Sequence, residues 1–321
     1  MSAFTNPFFL ALKSPDVLRS RQSSLKSLTL VLLSVTLLPI TANAHGIAGD
    51  RVFPATISTD DPAAASEASL PTIGWFPNPR DDSGNVPKET DIGGELDVLV
   101  APHFAVGISD AWTSVTTKNE PAVSGYQNLV VSGKYQFYEN DEHEVLMSAG
   151  LVAEVGGTGA ARIGADPSST FTPTIYFGKG MGDLPDSIDF LKPVAITGTI
   201  GFAVAQNRSE PDKFQPGFAI EYSMQYLKSS VKDYGLPDIV NHLVPVVEFP
   251  LTYGLDNGDH SWGGTANPGI IYLGNKWQFG VEAMIPLTSA TQNGTGVIGQ
   301  FHVFLDDLFP AVFSKPIFGG N

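Results

Sequence analysis

The chain has 321 residues and a formal net charge of -15, from 18 basic and 33 acidic side chains. Such a chain lacks the basic surface that nucleic acids bind, so we expect no nucleic-acid partner. Charged residues make up only 16% of the sequence, below the roughly 25% that is usual in soluble domains. The chain has no cysteine, which excludes disulfides, thiolate metal sites and thiol nucleophiles.

The first feature in chain order is an export signal. Three basic side chains precede an apolar run at 28–38, and the sequence Ala42-Asn43-Ala44 follows it. A basic region, an apolar core and small residues at the cleavage point are typical of a secretory signal peptide, which predicts cleavage between Ala44 and His45. The alternative is an N-terminal membrane anchor, but the apolar run is too short to span a bilayer.

Beyond the signal, apolar and polar residues alternate, which is the pattern of half-buried β-strands. In 277–285 the odd positions are apolar and the even positions are mostly polar or small. Many of the predicted strands reach the roughly 9–11 residues that a tilted strand needs to cross a bilayer, whereas strands of soluble sandwiches average roughly 5–6. The sequence therefore predicts an all-β fold, an antiparallel transmembrane β-barrel. We expect strands at 92–100, 104–113, 125–138, 144–156, 170–179, 192–206, 214–228, 244–255, 266–274, 276–286 and 295–305.

Aromatic side chains near the ends of these strands support a membrane barrel. Outer-membrane barrels carry aromatic girdles at both membrane interfaces. The alternative is ordinary strand propensity, since aromatic residues favour any strand. The predicted girdle residues are Trp112, Tyr135, Phe137, Tyr138, Tyr222, Tyr226, Trp262 and Trp277.

The lengths of the connections predict an even number of strands. Bacterial barrels place short turns and both termini on the periplasmic side. The connection at 101–103 is short, so the strand at 92–100 descends toward the periplasm. A chain that starts in the periplasm needs an ascending strand before it, and we predict that strand at 70–76, giving about twelve strands. The long connections at 180–191 and 229–243 then lie on the periplasmic side, where we expect small helical turns.

These elements divide the chain into a signal peptide at 1–44, an irregular segment at 45–69 and a barrel at 70–321. The irregular segment is rich in Asp, Ala and Pro. It either lies in the periplasm or folds into the lumen as a plug. The last predicted strand ends before Asp306, although barrel proteins commonly end in a strand whose terminal aromatic residue the assembly machinery recognises. Either that signal is internal, or the tail forms a short extra piece.

The polar side of the predicted strands is mostly acidic. Charges that face lipid are costly at mid-bilayer, so we expect these side chains to point into the lumen. One hypothesis is an interior that favours cations or holds a plug. The alternative pairs the carboxylates with Arg162, Lys179 or Arg208 from loops. The lumen-facing candidates are Glu95, Asp97, Lys134, Glu154, Glu221, Glu248, Glu282, Gln300 and His302.

Catalytic signatures are absent from the sequence. It contains no nucleophile elbow, zinc-protease motif, phosphate-binding loop or dinucleotide-binding motif, and its 6 histidines are scattered. Asp256-Asn257-Gly258-Asp259 resembles part of a calcium loop, but it lacks the alternating ligands and the terminal Glu, so a solvated turn is the better interpretation. We therefore expect no enzyme, no cofactor and no metal site.

Four short segments carry a resemblance to a known group of proteins. They lie at 49–56, with 60–62 and 70–72 following it, and at 180–185, 266–272 and 306–310. Together they resemble a proteobacterial group of uncharacterised outer-membrane barrel proteins related to the meta-pathway phenol-degradation (MetA-like) family. The resemblance covers most of the chain beyond the signal. It implies a barrel that admits hydrophobic or aromatic compounds.

The leading hypothesis is a monomeric passive outer-membrane channel for small molecules, with hydrophobic or aromatic compounds and cationic compounds as alternative solutes. The rival hypothesis is a non-conducting barrel, anchored in the outer membrane, with a structural or binding role. The expected partners are outer-membrane lipid, the barrel-assembly machinery and small-molecule solutes.

Overall fold

A computed structural model describes residues 46–319, and its main element is a closed antiparallel β-barrel of twelve strands. The predicted signal peptide and its cleavage point at Ala44 and His45 lie outside the described residues. No helix within 46–319 is long and apolar enough to cross a membrane. The strands are β1 (Gly46–Ala48), β2 (Arg51–Phe53), β3 (Glu67–Pro77), β4 (Lys88–Ala101), β5 (Phe104–Thr116), β6 (Val123–Tyr126), β7 (Val130–Asn140), β8 (Val145–Glu154), β9 (Thr170–Gly180), β10 (Val194–Ala205), β11 (Lys213–Tyr222), β12 (Leu243–Gly254), β13 (Trp262–Leu273), β14 (Trp277–Pro286) and β15 (Gly296–Phe304).

The ring closes where the last strand pairs with the first. β15 runs antiparallel to β3, with Val297 opposite Trp75 and Val303 opposite Ala68. This confirms the predicted strand before 92–100, which begins at Glu67 rather than at residue 70. Closure pairs each of the twelve barrel strands on both sides, as the hydrocarbon layer requires, because every backbone N–H and C=O there must be bonded within the protein.

The predicted strand 125–138 is wrong as one continuous element. It is divided into β6, which pairs only with β5, and β7, which pairs with β5 and β8. Between them the buried Asn128 side chain donates to the Glu154 carboxylate at 2.8 Å and accepts from the Gly159 N–H at 2.8 Å. These bonds compete with the strand ladder and interrupt it.

The predicted strand 214–228 is too long. β11 ends at Tyr222, and the Ser223 hydroxyl then caps a helical turn by accepting from the Tyr226 N–H at 3.1 Å. Tyr226 is buried at one rim of the barrel, so its prediction as a girdle residue is wrong.

The outer surface of the barrel is apolar and its inner surface is polar, as β14 illustrates. Phe279, Val281 and Ile285 are exposed on the outside, whereas Gln278 and Glu282 are buried inside. This division is the one that a lipid-facing barrel needs, and with an even number of strands it is the architecture of a bacterial outer-membrane protein.

Aromatic rings mark both rims of the outer surface. At one rim Tyr272 stacks on Trp277, with ring centroids 5.5 Å apart, and Trp277 contacts Phe301 at 5.8 Å. At the other rim the rings of Tyr253 and Trp262 lie 5.1 Å apart. Two separated aromatic bands fit the two interfaces of a membrane.

We call the rim that carries the turns at 102–103, 141–144 and 274–276 the terminal rim, and the opposite one the distal rim. The expected helical turns are present in the two long connections of the terminal rim, among them Asp186–Leu191 and Asp238–Asn241. The tail after β15 also lies at the terminal rim. It forms two further helical turns and then donates from the N–H groups of Ile317 and Phe318 to the carbonyls of Leu99 and Val100, at 3.1 and 2.8 Å.

A charge on the outer face tests the membrane orientation of the strands. Val281→Arg at mid-strand should lower the free energy of unfolding in lipid vesicles by about 2–4 kcal/mol, while Ile285→Arg near the distal rim should lower it by about 0–1 kcal/mol. The measurement is reversible denaturant unfolding in vesicles, with folding followed by heat-modifiable gel migration. Equal costs at the two positions would contradict this orientation.

Candidate functional site in the barrel lumen

Residues 46–66, which we call the inner segment, lie inside the barrel. Their main anchor is Glu248 on β12, which is fully buried. Its carboxylate accepts hydrogen bonds from three successive backbone N–H groups, those of Ile57 at 2.7 Å, Ser58 at 2.9 Å and Thr59. Charge-assisted bonds of this kind are about twice as strong as neutral ones, so Glu248 fixes the turn at Ser58.

Two neighbouring strands hold the same turn. The Ser58 hydroxyl donates to Glu282 on β14 at 3.0 Å and accepts from the Asn267 amide on β13 at 2.8 Å. Four residues before Glu282 on β14, and closer to the terminal rim, the Gln278 amide donates to the carbonyl of Ala55. Three adjacent strands therefore present polar side chains to one short stretch of the inner segment.

Apolar side chains of the inner segment complete the core of the barrel. Ala48, Val52, Phe53 and Ile57 each pack against buried side chains of the wall. Because burial of apolar surface is the main favourable term in folding, these contacts make the inner segment an integral part of the structure. The wall residues are Phe76, Leu146, Ala195, Ala219, Val244, Val246, Ile271, Leu273, Met284, Ile298 and Phe304.

Glycines on the wall make room for the inner segment. A Cβ atom at Gly280 would lie 2.7 Å from Cδ1 of Ile57, and one at Gly217 would lie 3.0 Å from Cγ2 of Thr59. These approaches are at or below the closest that real Cβ atoms show, so the lack of a side chain is what lets the inner segment lie this close to the wall.

A second part of the lumen is a small chamber between the inner segment and side chains of β3, β4, β7, β9 and β15. It has a volume of about 30 Å³. Lys134 reaches it from β7 and donates to Asp60 Oδ1 at 2.8 Å and to the Asp61 carbonyl at 3.0 Å, with its Nζ 4.8 Å from the centre of the Tyr176 ring. The carboxyl groups that line the chamber are those of Asp60, Asp61, Glu67, Glu95 and Asp97.

Two lumen candidates from β15 complete the chamber. His302 Nδ1 lies 2.9 Å from the Ser69 hydroxyl, and its Nε2 lies 3.3 Å from Glu67 Oε2. The Gln300 amide donates to the Thr72 hydroxyl at 3.2 Å. The structure thus brings together Glu95, Asp97, Lys134, Gln300 and His302 from the sequence-predicted set.

The β1–β2 hairpin is held at the terminal rim by Arg51, whose side chain is 1% exposed. Its guanidinium donates to Glu144 at 3.2 Å and to the Pro193 carbonyl at 2.9 Å, and it lies 3.8 Å from the centre of the Tyr226 ring. Burial, with a smaller contribution from the neighbouring Glu144, raises the pKa of Tyr226 to about 12. The phenol therefore stays neutral under Arg51 at ordinary pH.

The remaining candidates lie apart from the chamber and from Ser58. Glu154 accepts from Asn128, and Glu221 accepts from the Thr197 hydroxyl at 2.9 Å. Of the loop cations considered as partners for the carboxylates, Arg162 donates to the Ser124 carbonyl and Lys179 pairs with Asp183 at 2.9 Å. Glu248 and Glu282 meet the inner segment instead.

Sequence reasoning overlooked the functional side chains of the inner segment itself. No motif or periodicity in the sequence assigns a role to Arg51, Asp60 or Asp61. One signal was available: lumen-side glycines recur within long strands, as at Gly217 and Gly280, and an interior glycine often marks a close approach of another backbone.

No family model matches the sequence, and no curated protein matches it either. Among solved structures the chain is similar to the KdgM porin, at 10% identity over 74% of this chain and 98% of that chain, with a TM-score of 0.42. It is also similar to the COG4313 outer membrane channel from Pseudomonas putida F1, at 12% identity over 79% and 99%, with a TM-score of 0.48. The β domain of the Bordetella autotransporter BrkA matches at 10% identity over 74% and 99%, with a TM-score of 0.44. At these identities the likeness concerns the fold alone.

The role of Glu248 as the anchor is tested by Glu248→Gln. The amide keeps the size but has one acceptor oxygen and an NH2 group that faces N–H donors, and hydrogen bonds to a charged group are worth about 1.5–3 kcal/mol each. Amide hydrogen exchange in peptides covering 54–60 should therefore become at least tenfold faster. The matched control is Glu221→Gln, which removes a lumen carboxylate that does not bind the inner segment. Unchanged exchange in Glu248→Gln would show that the anchor lies elsewhere.

Proposed function

We propose that this protein is a passive outer-membrane channel for small solutes, and that the inner segment closes it in the conformation described here. The observation that carries the proposal is a polar lumen wall whose side chains bind a separate stretch of chain, the inner segment. Those bonds are of the kind that water or a polar solute can replace. Displacement of the whole inner segment, including its bonds to Glu248, Glu282 and Lys134, would open a path along these polar side chains.

The charge of the wall bears on the class of solute. Carboxylates at Glu248 and Glu282 and around the chamber create a negative potential, which raises the local concentration of cations. Small cationic or neutral polar solutes are therefore the proposed cargo. Passage of hydrophobic or aromatic compounds, which the family resemblance implies, is the competing proposal, and such compounds would use the apolar wall side chains that pack against Val52, Phe53 and Ile57.

A second candidate is a non-conducting barrel with a structural or binding role. Its support is the extent of apolar packing between the inner segment and the wall, through Val52, Phe53 and Ile57. Contacts of this kind are lost only at a considerable free-energy cost. The two candidates differ in whether the inner segment moves on a functional timescale.

A reversible crosslink distinguishes them. The chain has no native cysteine, so Thr59→Cys combined with Gly217→Cys gives a single possible disulfide. A Cβ at Gly217 lies 3.2 Å from Thr59 Oγ1, a separation close to the one that a disulfide requires. In planar bilayers we expect the oxidised variant to be silent and, after reduction with dithiothreitol, to reach the current of Gly217→Cys alone, because a side chain at Gly217 crowds Thr59 whether or not the disulfide is present.

The control is Thr59→Cys alone, which should respond to neither oxidant nor reductant. A current that persists in the oxidised double variant would show that the path does not depend on the inner segment. Silence of both the reduced variant and the wild type would favour the non-conducting barrel. For a conducting protein, the reversal potential in a salt gradient reports the solute class, and anion preference would contradict the proposed cationic cargo.

A further inference from the structure

The chamber beside Lys134 concentrates more negative than positive charge. Asp60 and Asp61 enter it from the inner segment, while Glu67, Glu95 and Asp97 enter it from the wall. The positive charge in the chamber is that of Lys134, which already binds the Asp60 carboxylate and the Asp61 carbonyl. Burying charges of one sign without compensation costs far more than a protein's net stability, so the excess must be neutralised by protons or by a bound cation.

A separate observation points to a bound species. Gln300 is 8% exposed and lines the chamber, and its Oε1 atom has no hydrogen-bond partner, although its Nε2 is bonded to Thr72. Buried amide oxygens are usually bonded, and of those left open within 46–319 the Gln300 Oε1 atom is the one that lines this chamber. An acceptor oxygen left open in an acidic chamber is suited to a cation or to a water molecule bound to one.

The wall is also shaped for oxygen donors to approach each other. A Cβ on Gly107 of β5 would lie 2.2 Å from Asp97 Oδ1 and 2.3 Å from Ser132 Oγ. Only a glycine at this position allows the carboxylate and the hydroxyl to occupy that space. Both residues line the chamber.

We infer that the chamber binds one hard cation of the Ca²⁺ class, which joins the inner segment to the wall. The donors are carboxylate, amide and hydroxyl oxygens, the ligands that hard cations prefer. The volume of about 30 Å³ exceeds the roughly 10–15 Å³ that a cavity needs to hold one water molecule, so a single ion fits. Within 46–319 no three acidic or histidine side chains are already arranged around one point, so binding draws carboxylates such as Asp61 and Asp97 inward or keeps water between them and the ion.

The inference deepens the proposed function, because its gating part rests on closure by the inner segment. A cation shared between Asp61 on that segment and Asp97 on β4 would favour the closed state. Loss of the cation would leave their carboxylates to repel each other, which favours release of the segment. Divalent cations would then act as a closing signal for the channel.

The test is calorimetric titration of CaCl2 into the full purified barrel in detergent, after chelator treatment. We expect saturable binding of about one Ca²⁺ per chain, weakened at least tenfold in Asp97→Asn and in Gln300→Leu. The matched control is Glu154→Gln, a lumen carboxylate outside the chamber, which should bind Ca²⁺ as the wild type does. Heat-modifiable migration checks that each variant is folded.

Absence of saturable Ca²⁺ binding in the folded wild type, or binding that both chamber variants leave unchanged, would overturn the inference and leave protons as the neutralising species. Gating is measured separately, as the closed fraction in planar bilayers with Ca²⁺ and with chelator. A rise of the closed fraction with Ca²⁺ in the wild type but not in Asp97→Asn supports the closing role. Stoichiometric binding in a barrel that never conducts would support the site while overturning the channel.

Discussion

The whole structure depends on one constraint, which is that a chain in hydrocarbon must satisfy its own backbone hydrogen bonds. The pairing of β15 with β3 meets it by closing the ring. Closure also separates two surfaces, because successive side chains of a strand point to opposite faces. The outer surface can then be apolar, and the inner one can carry carboxylates such as Glu248 and Glu282, which would be costly in contact with lipid.

Those inner carboxylates need partners of their own, and the inner segment supplies them. The inner segment satisfies Glu248 through its backbone N–H groups and Glu282 through the Ser58 hydroxyl, while on the chamber side Lys134 of the wall binds Asp60 of the segment. The polar side chains of the lumen therefore depend for their hydrogen bonds on whatever occupies the lumen. A channel built this way opens only when water, solute or ions replace these partners.

Much of the fold could be predicted from the sequence because its signal is local. Period-two alternation identifies the strands one by one, and turn length identifies β3 from a parity argument. The two failures differ in range: the Ser223 hydroxyl bonds to the backbone three residues on, whereas the Asn128 side chain bonds to the Gly159 N–H, 31 positions away, and each ends a strand that the alternation would continue. Hydropathy patterns do not register such competition.

The site was less predictable. Alternation tells which side chains face inward, so candidates such as Asp97 and His302 could be proposed, but it does not say what they contact. The bond from Ile57 to Glu248 spans 191 positions of sequence. The inner segment has no periodicity that would predict its position in the lumen. Its docking depends on the space left by glycines such as Gly217 and Gly280, and on hydrogen bonds to side chains of the wall.

The central claim is that the inner segment lies inside the barrel in the membrane, and thiol accessibility tests it most directly. Ser58 is 1% exposed at the anchored turn, whereas Ser83 is exposed in the connection between β3 and β4. In lipid vesicles, a water-soluble maleimide should label Ser58→Cys at least a hundredfold more slowly than Ser83→Cys. Heat-modifiable gel migration checks that both variants are folded. Equal labelling rates would contradict the claim, because they would mean that the segment lies in free solution.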